Sequence, residues 1–294
     1  MKNYRGIKQI IKGLPASDGD GVQLTRIIGT PYLDHLDPFL LLDAFGSDKP
    51  QDYIGGFPSH PHRGFETVTY MLAGKMRHKD SSGNDGVIDA GGVQWMTAGS
   101  GIIHSEMPEQ EDGLLAGFQL WVNLPASHKM DKPKYQEFSK AQIPIEFRDE
   151  NCSVVVIAGE TTLSTKGVIV NDFVKPTYWD VNLKKGGRLI DTIPTNHNAF
   201  IYVYGGSVSV EKNNDEKQDI QNSNLEEIRK GDLAILENGE TINVVAQSNS
   251  RFLLIAGRPL NEPIERAGPF VMNTKQEIQQ AFNDYRLGQL VEKK

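Results

Sequence analysis

Short apolar runs, each closed by glycine, asparagine, aspartate or proline, limit what this chain can fold into. They are TVTYML (67–72), LAGFQLWVNL (115–124), SVVVIAG (153–159), AFIYVYGGSVSV (199–210), LAILE (233–237) and RFLLIAG (251–257). Their β-branched and aromatic content suits strands, and none approaches the roughly 18–20 apolar residues that a membrane-spanning helix needs. The chain therefore reads as all-β, with one short helix near its end. There Thr274 and Glu277 fit a capping box, Ile278, Ala281, Phe282 and Tyr285 share a helical face, and Gly288 supplies a stop. Such a helix is expected to pack back on a β-domain.

The runs form a weak internal repeat. In the first half a strand ends at a glycine turn (YMLAGKM, 70–76), a polar segment follows, and GGVQWMTAG (91–99) opens another strand. In the second half YVYGGSV (202–208) and KGDLAILENGE (230–240) repeat the pattern around a longer polar insert, KNNDEKQDIQNSN (212–224), expected to be a flexible hairpin or loop. Two β-barrels of one kind follow, with the boundary in the Pro-containing stretch from Ala126 to Pro144 and domains drawn at 1–135 and 136–294.

Charge narrows the partners. With 31 basic and 38 acidic residues, net −7, and no basic block, the chain lacks the electrostatic footprint of a direct nucleic-acid or anionic-membrane binder. Its one cysteine, Cys152, cannot form an intramolecular disulfide and reads as a buried thiol. The opening MKNYRGIKQIIKGLP lacks the apolar core and cleavage site of a secretion signal, so a cytoplasmic location is expected. Ser100 lies in GSG rather than a nucleophile elbow, and no phosphate-binding or dinucleotide fingerprint follows a strand.

The seven histidines are unevenly placed. His60-Pro61-His62 sets two imidazoles at i and i+2, which an extended chain points to one face, and His104-Ser105-Glu106 repeats that spacing after the turn AGSGI (98–102). One ladder pairing between the two segments would gather three nitrogens and one carboxylate, a set suited to a first-row transition metal with room for exogenous ligands. His35, His78, His128 and His197 lack such partners and read as ordinary polar positions. Phe57, Trp95, Met96 and Phe118 stand near the motif and could wall an aromatic pocket, although residues at strand spacing are more often plain core.

HxHxxxE (His60, His62, Glu66), followed by a glycine-rich turn and a third histidine, resembles the metal motifs of the cupin superfamily. DPFLLLDAF (37–45), GFPSHPHRGFETVTYML (56–72), WMTAGSGIIHSEMP (95–108), FQLWVNLP (118–125) and GPFVMNTKQEI (268–278) are more narrowly similar to the pirin family, and these blocks cover most of the chain. The resemblance implies a bicupin with one metal, usually iron, in the N-terminal barrel. It also implies Glu106 as fourth ligand beside His60, His62 and His104, leaving Glu66 to orient an imidazole or cap its strand. Aligning glycines of the second half places Thr192, Pro194, Asn243 and Val245 where the ligands stand, and these make no metal site.

By that resemblance the expected activity is ring-opening of flavonols such as quercetin with O₂ and release of carbon monoxide, on Fe(II) or alternatively Ni, Co, Mn, Cu or Zn, with Glu106 accepting the substrate hydroxyl proton. The alternative implied by pirin relatives is a metal-dependent regulatory protein that binds a transcription factor or a metabolic enzyme. A purely structural metal is a third reading.

Overall fold

The computed structural model describes residues 3–211 and 226–291, so the polar insert at 212–224 lies outside the described residues. The chain divides into two compact units. One comprises Leu14–Gln142 with Leu260–Lys294, the other Met1–Gly13 with Ile143–Pro259. This differs from the linear division at 135/136 at both ends of the chain.

Hydrogen bonding and burial account for the difference. Strand Ile7–Lys12 pairs antiparallel with Asp232–Leu236, satisfying an edge of the later unit. The closing segment instead buries Phe270, Met272, Ile278, Ala281 and Leu290 as one cluster, with Ile103 of the earlier unit packed against it. Neither exchange leaves a compositional mark, because a linear reading of strand propensity does not name the pairing partner.

Each unit holds the same two sheets. In the earlier unit a seven-stranded antiparallel sheet runs in the order Lys134–Phe138, Val93–Thr97, Phe65–Ala73, Leu115–Asn123, Phe39–Ser47, Val22–Ile28, Leu14–Asp18. A four-stranded sheet runs Phe57–His62, Ile102–Pro108, Lys75–Asp80, Asp85–Asp89. The later unit repeats both orders, except that Ile7–Lys12 stands at the edge beside Asp232–Leu236 where the earlier unit has Lys134–Phe138 beside Val93–Thr97. The internal repeat is thus a repeated cupin barrel.

The helix Lys275–Arg286 starts at the capping box of Thr274 and Glu277, and Gly288 follows its end at φ 67°. Ile278 and Ala281 are buried, whereas Phe282 and Tyr285 are partly exposed while keeping their rings against Phe270. Among the described residues no helix is long and apolar enough to cross a membrane.

Two buried cations bind the tail to the earlier barrel. Arg63, 4% exposed, donates to the Ser100 carbonyl and, at 2.7 Å, to Asp284 of the helix. Lys129, 1% exposed, donates to the Gly64 carbonyl (2.6 Å), Asn123 Oδ1 (2.6 Å) and the Val271 carbonyl (3.1 Å). All three of those acceptors are neutral, so burial pushes the ammonium pKa down to about 7.

A lysine with that folded pKa binds fewer protons than the unfolded chain between about pH 7 and pH 10, so raising pH through this window favours the fold. The stability of the wild type relative to Lys129→Met is therefore expected to rise from pH 7 to pH 10, by at most about 1.4 kcal/mol per pH unit. Denaturant titrations at several pH values measure it, and a difference that does not change with pH would show that the ammonium stays charged in place.

Candidate metal centre

The site is made by one strand pairing. Phe57–His62 lies antiparallel to Ile102–Pro108 with His62 opposite Ile102 and His60 directly opposite His104. Residues two apart share a face, so His60, His62 and His104 all project to one side of the sheet. Their ligand-type nitrogens lie within 4.8 Å of one another, and their ring centroids are 4.3–4.9 Å apart.

The way each ring is held decides which nitrogen is available. His60 Nδ1 faces the Pro58 carbonyl at 2.7 Å, His62 Nδ1 faces the Pro269 carbonyl of the tail at 3.3 Å, and His104 Nδ1 faces His78 Nδ1 at 3.5 Å. A carbonyl only accepts, so His60 and His62 carry their protons on Nδ1 and turn Nε2 lone pairs inward. His60 Nε2 and His62 Nε2 meet at 3.0 Å, and His104 Nε2 is buried without a protein partner. Two facing lone pairs and an orphaned third nitrogen fit a cation held between three imidazoles.

Electrostatics favour the same state. Burial first, then the neighbouring imidazoles, push the pKa values of His62 and His104 well below the ordinary histidine value. Both rings are neutral at physiological pH, as metal ligation requires.

Glu106 stands two residues beyond His104, past an irregularity in the pairing with Phe57–His62. It is 4% exposed and lines the same cavity as His60 and His62, but lies outside the three-histidine cluster. Its Oε1 accepts from Thr69 Oγ1 at 2.7 Å and its Oε2 from Gln119 Nε2 at 3.2 Å. Glu66 is fully buried and accepts from Thr97 Oγ1 at 2.7 Å.

The cavity in front of the histidines has a volume of about 700 Å³. Phe57 lines it as expected, but Trp95, Met96 and Phe118 do not; they are core, 2% exposed or less. Its aromatic walls come instead from Trp121 and Phe45, with Arg266 stacked 4.7 Å from the Trp121 ring centre and Arg26 paired to Asp43 by two hydrogen bonds.

His78, read from the sequence as an ordinary polar position, is fully buried and stands between His104 and Asp80. Its Nε2 lies 3.0 Å from Asp80 Oδ2, and the Tyr135 ring packs against it. Burial alone would raise the Asp80 pKa, but hydrogen bonds from His78 and Asn84 hold it below the ordinary carboxylate value. The result is an Asp80–His78–His104 chain that fixes the third imidazole from behind. The one available signal was the i, i+2 spacing in His78-Lys79-Asp80, which acquires meaning only from the pairing of His78 with Glu106.

The second barrel has the same frame without the chemistry. Gly74 and Gly206 are equivalent hairpin glycines, and two residues after each the ladder pairs Met76 with Pro108 and Val208 with Ala246. Following the pairings onward places Asp191, Ile193, Ile242 and Val244 where His60, His62, His104 and Glu106 stand. The glycine alignment that chose Thr192, Pro194, Asn243 and Val245 is therefore one residue out of register. Ile193, Ile242 and Val244 belong to the continuous hydrocarbon core of that barrel, and Asp191 is tied to Arg148.

Comparison with known proteins agrees with this geometry. The family model "Pirin" matches residues 21–122, and the model "Pirin C-terminal cupin domain" matches residues 178–291. A pirin-like protein of Caulobacter vibrioides is 49% identical over 97% of this chain and 98% of its own length. The crystal structure of a quercetin 2,3-dioxygenase from Acinetobacter baumannii superposes with a TM-score of 0.87 at 37% identity, covering 98% of both chains. A bacterial pirin from Escherichia coli, solved in complex with nickel(II), shares the fold at a TM-score of 0.62 and 21% identity, over 85% of this chain and 99% of that one.

Because His104 is braced through His78, His78→Leu is expected to weaken Co(II) binding by about 10–100-fold in chelator competition while the β-rich circular dichroism persists. His78→Gln, which keeps a hydrogen-bonding group toward Asp80, is expected to lose less. Unchanged affinity in His78→Leu would show that His104 needs no brace.

Proposed function

The chain belongs to the pirin family of bicupins, and from that premise we propose that it is a mononuclear metal oxygenase that opens the heterocycle of flavonol-type substrates with O₂. One observation carries the proposal: three imidazole Nε2 atoms converge at the wall of an aromatic-lined cavity that also contains a buried carboxylate. Its resemblance in fold and sequence to a quercetin 2,3-dioxygenase supports the substrate class.

In this reading His60, His62 and His104 would hold one divalent ion, Fe(II), with Glu106 as the fourth ligand. The ion supplies Lewis acidity that acidifies a coordinating hydroxyl and, as Fe(II), a one-electron couple for reaction with O₂. Trp121 and Phe57 flank the flat substrate, and the Arg266 guanidinium stacked on Trp121 stiffens that wall.

Glu106 accepts the proton of the substrate hydroxyl. Thr69 and Gln119 hold the buried carboxylate beside the cavity that would take the substrate. Both atoms of O₂ enter the opened product, one in the ester carbonyl and one in the carboxylic acid at the two cleaved carbons, while the carbon between them leaves as carbon monoxide with the oxygen it already carried. The ring carbons are oxidised and no external reductant is consumed.

Carbon monoxide release from quercetin, measured when O₂ is admitted to anaerobically Fe(II)-loaded protein, tests this directly. The wild type is expected to release it, His62→Ala to release none, and Glu106→Gln to turn over about 100-fold or more slowly. No release from protein with iron confirmed bound would overturn the oxygenase reading and favour a metal-dependent role in binding another protein.

A further inference from the structure

A second cavity, of about 430 Å³, lies within the other unit, and its surroundings carry more positive charge than they pair. His197 forms part of the lining although it is only 5% exposed. Among the described residues neither of its ring nitrogens has a protein hydrogen-bond partner, and Nδ1 is fully shielded from water. A buried polar group of this kind is costly unless something satisfies it.

Cations surround that imidazole. Lys175 and Arg258 both line the cavity from exposed positions, and neither forms an ion pair among the described residues. Arg258 spends one donor on the Phe173 carbonyl. Behind His197 the fully buried guanidinium of Arg5 donates to the main-chain carbonyls of Glu237, Pro194 and His197 itself, and to no carboxylate among the described residues. Burial lowers the Arg5 pKa to about 10, and burial followed by the charges of Arg5, Arg258 and Lys175 lowers that of His197 to about 4. The one carboxylate in the lining, Glu160, faces Lys166 at 3.6 Å. In a chain of net charge −7, three cations facing one unsatisfied imidazole form a local positive potential.

We propose that this cavity binds a small oxyanion, a phosphate or carboxylate group, between Lys175, Arg258 and the ring of His197. The ring supplies one N–H donor in its neutral form, the Asn196 side chain and Thr177 hydroxyl stand in the same lining, and the two exposed cations close over the anion from the solvent side. Arg5 does not line the cavity and contributes through its charge. This site is independent of the oxygenase reading, since none of its residues belongs to the histidine cluster.

The test uses full-length protein with isotopically labelled histidine, the His197 ring signal being identified by its absence in His197→Gln. Inorganic phosphate and succinate are each titrated at an ionic strength held constant with sodium chloride. The His197 signal is expected to move saturably with at least one of them, and which one identifies the anion type. The double variant Lys175→Ala/Arg258→Ala, altered only at exposed side chains, is expected to bind that anion at least tenfold more weakly. No saturable movement with either anion, or a loss of less than tenfold in the double variant, overturns the site.

Discussion

The antiparallel register between Phe57–His62 and Ile102–Pro108 is the constraint on which the rest of the candidate metal centre depends. Pairing His60 with His104 sets three imidazoles on one face, and a slip of one residue would turn one strand's imidazoles to the opposite face. The rest of the barrel holds this register by burying Ile102 and by seating the Asp80–His78 pair behind His104 on the neighbouring strand. The histidines supply the chemistry, and the ladder decides that they meet.

The two barrels show what that frame costs and permits. With the same sheet order, one interior keeps a polar centre beside a large cavity, while the other fills the matching positions with Ile193, Ile242 and Val244. Hydrocarbon there needs no hydrogen-bond partners, whereas the polar centre needs a carbonyl, an imidazole or a hydroxyl for nearly every buried heteroatom. Among the described residues the second barrel leaves the Trp179 indole N–H, on a paired strand, and the His197 imidazole, among loops, without partners.

Much of this was legible in the sequence because it is local. Alternating and continuous apolar runs gave the strands, the i, i+2 spacings marked His60, His62, His104 and Glu106, and the Thr274–Glu277 capping box marked the helix. What escaped depends on partners distant in sequence. His78 becomes a brace only when its strand lies beside Ile102–Pro108, and Trp121 becomes a cavity wall only by facing inward from its sheet. Trp95 and Met96 are as aromatic or soft as any pocket residue, yet pairing directs them into core. The ends of the chain resisted for the same reason, since nothing in IKQIIK names Asp232–Leu236 as its neighbour.

The carbonyl that fixes His62 belongs to Pro269, 207 residues further along the chain. A ribosome delivers the chain in order, so the HPH segment is exposed long before the group that orients its second ring exists. The nascent first barrel can pair its strands but cannot present three rigidly aimed nitrogens until the tail is made and has docked. The edge strand Ile7–Lys12 waits in the same way for Asp232–Leu236. Contacts this far apart close slowly compared with local ones. The second imidazole is thereby aimed only once Pro269 has been made and has docked, and a chain arrested before that point would carry the HPH motif without the contact that orients its second ring.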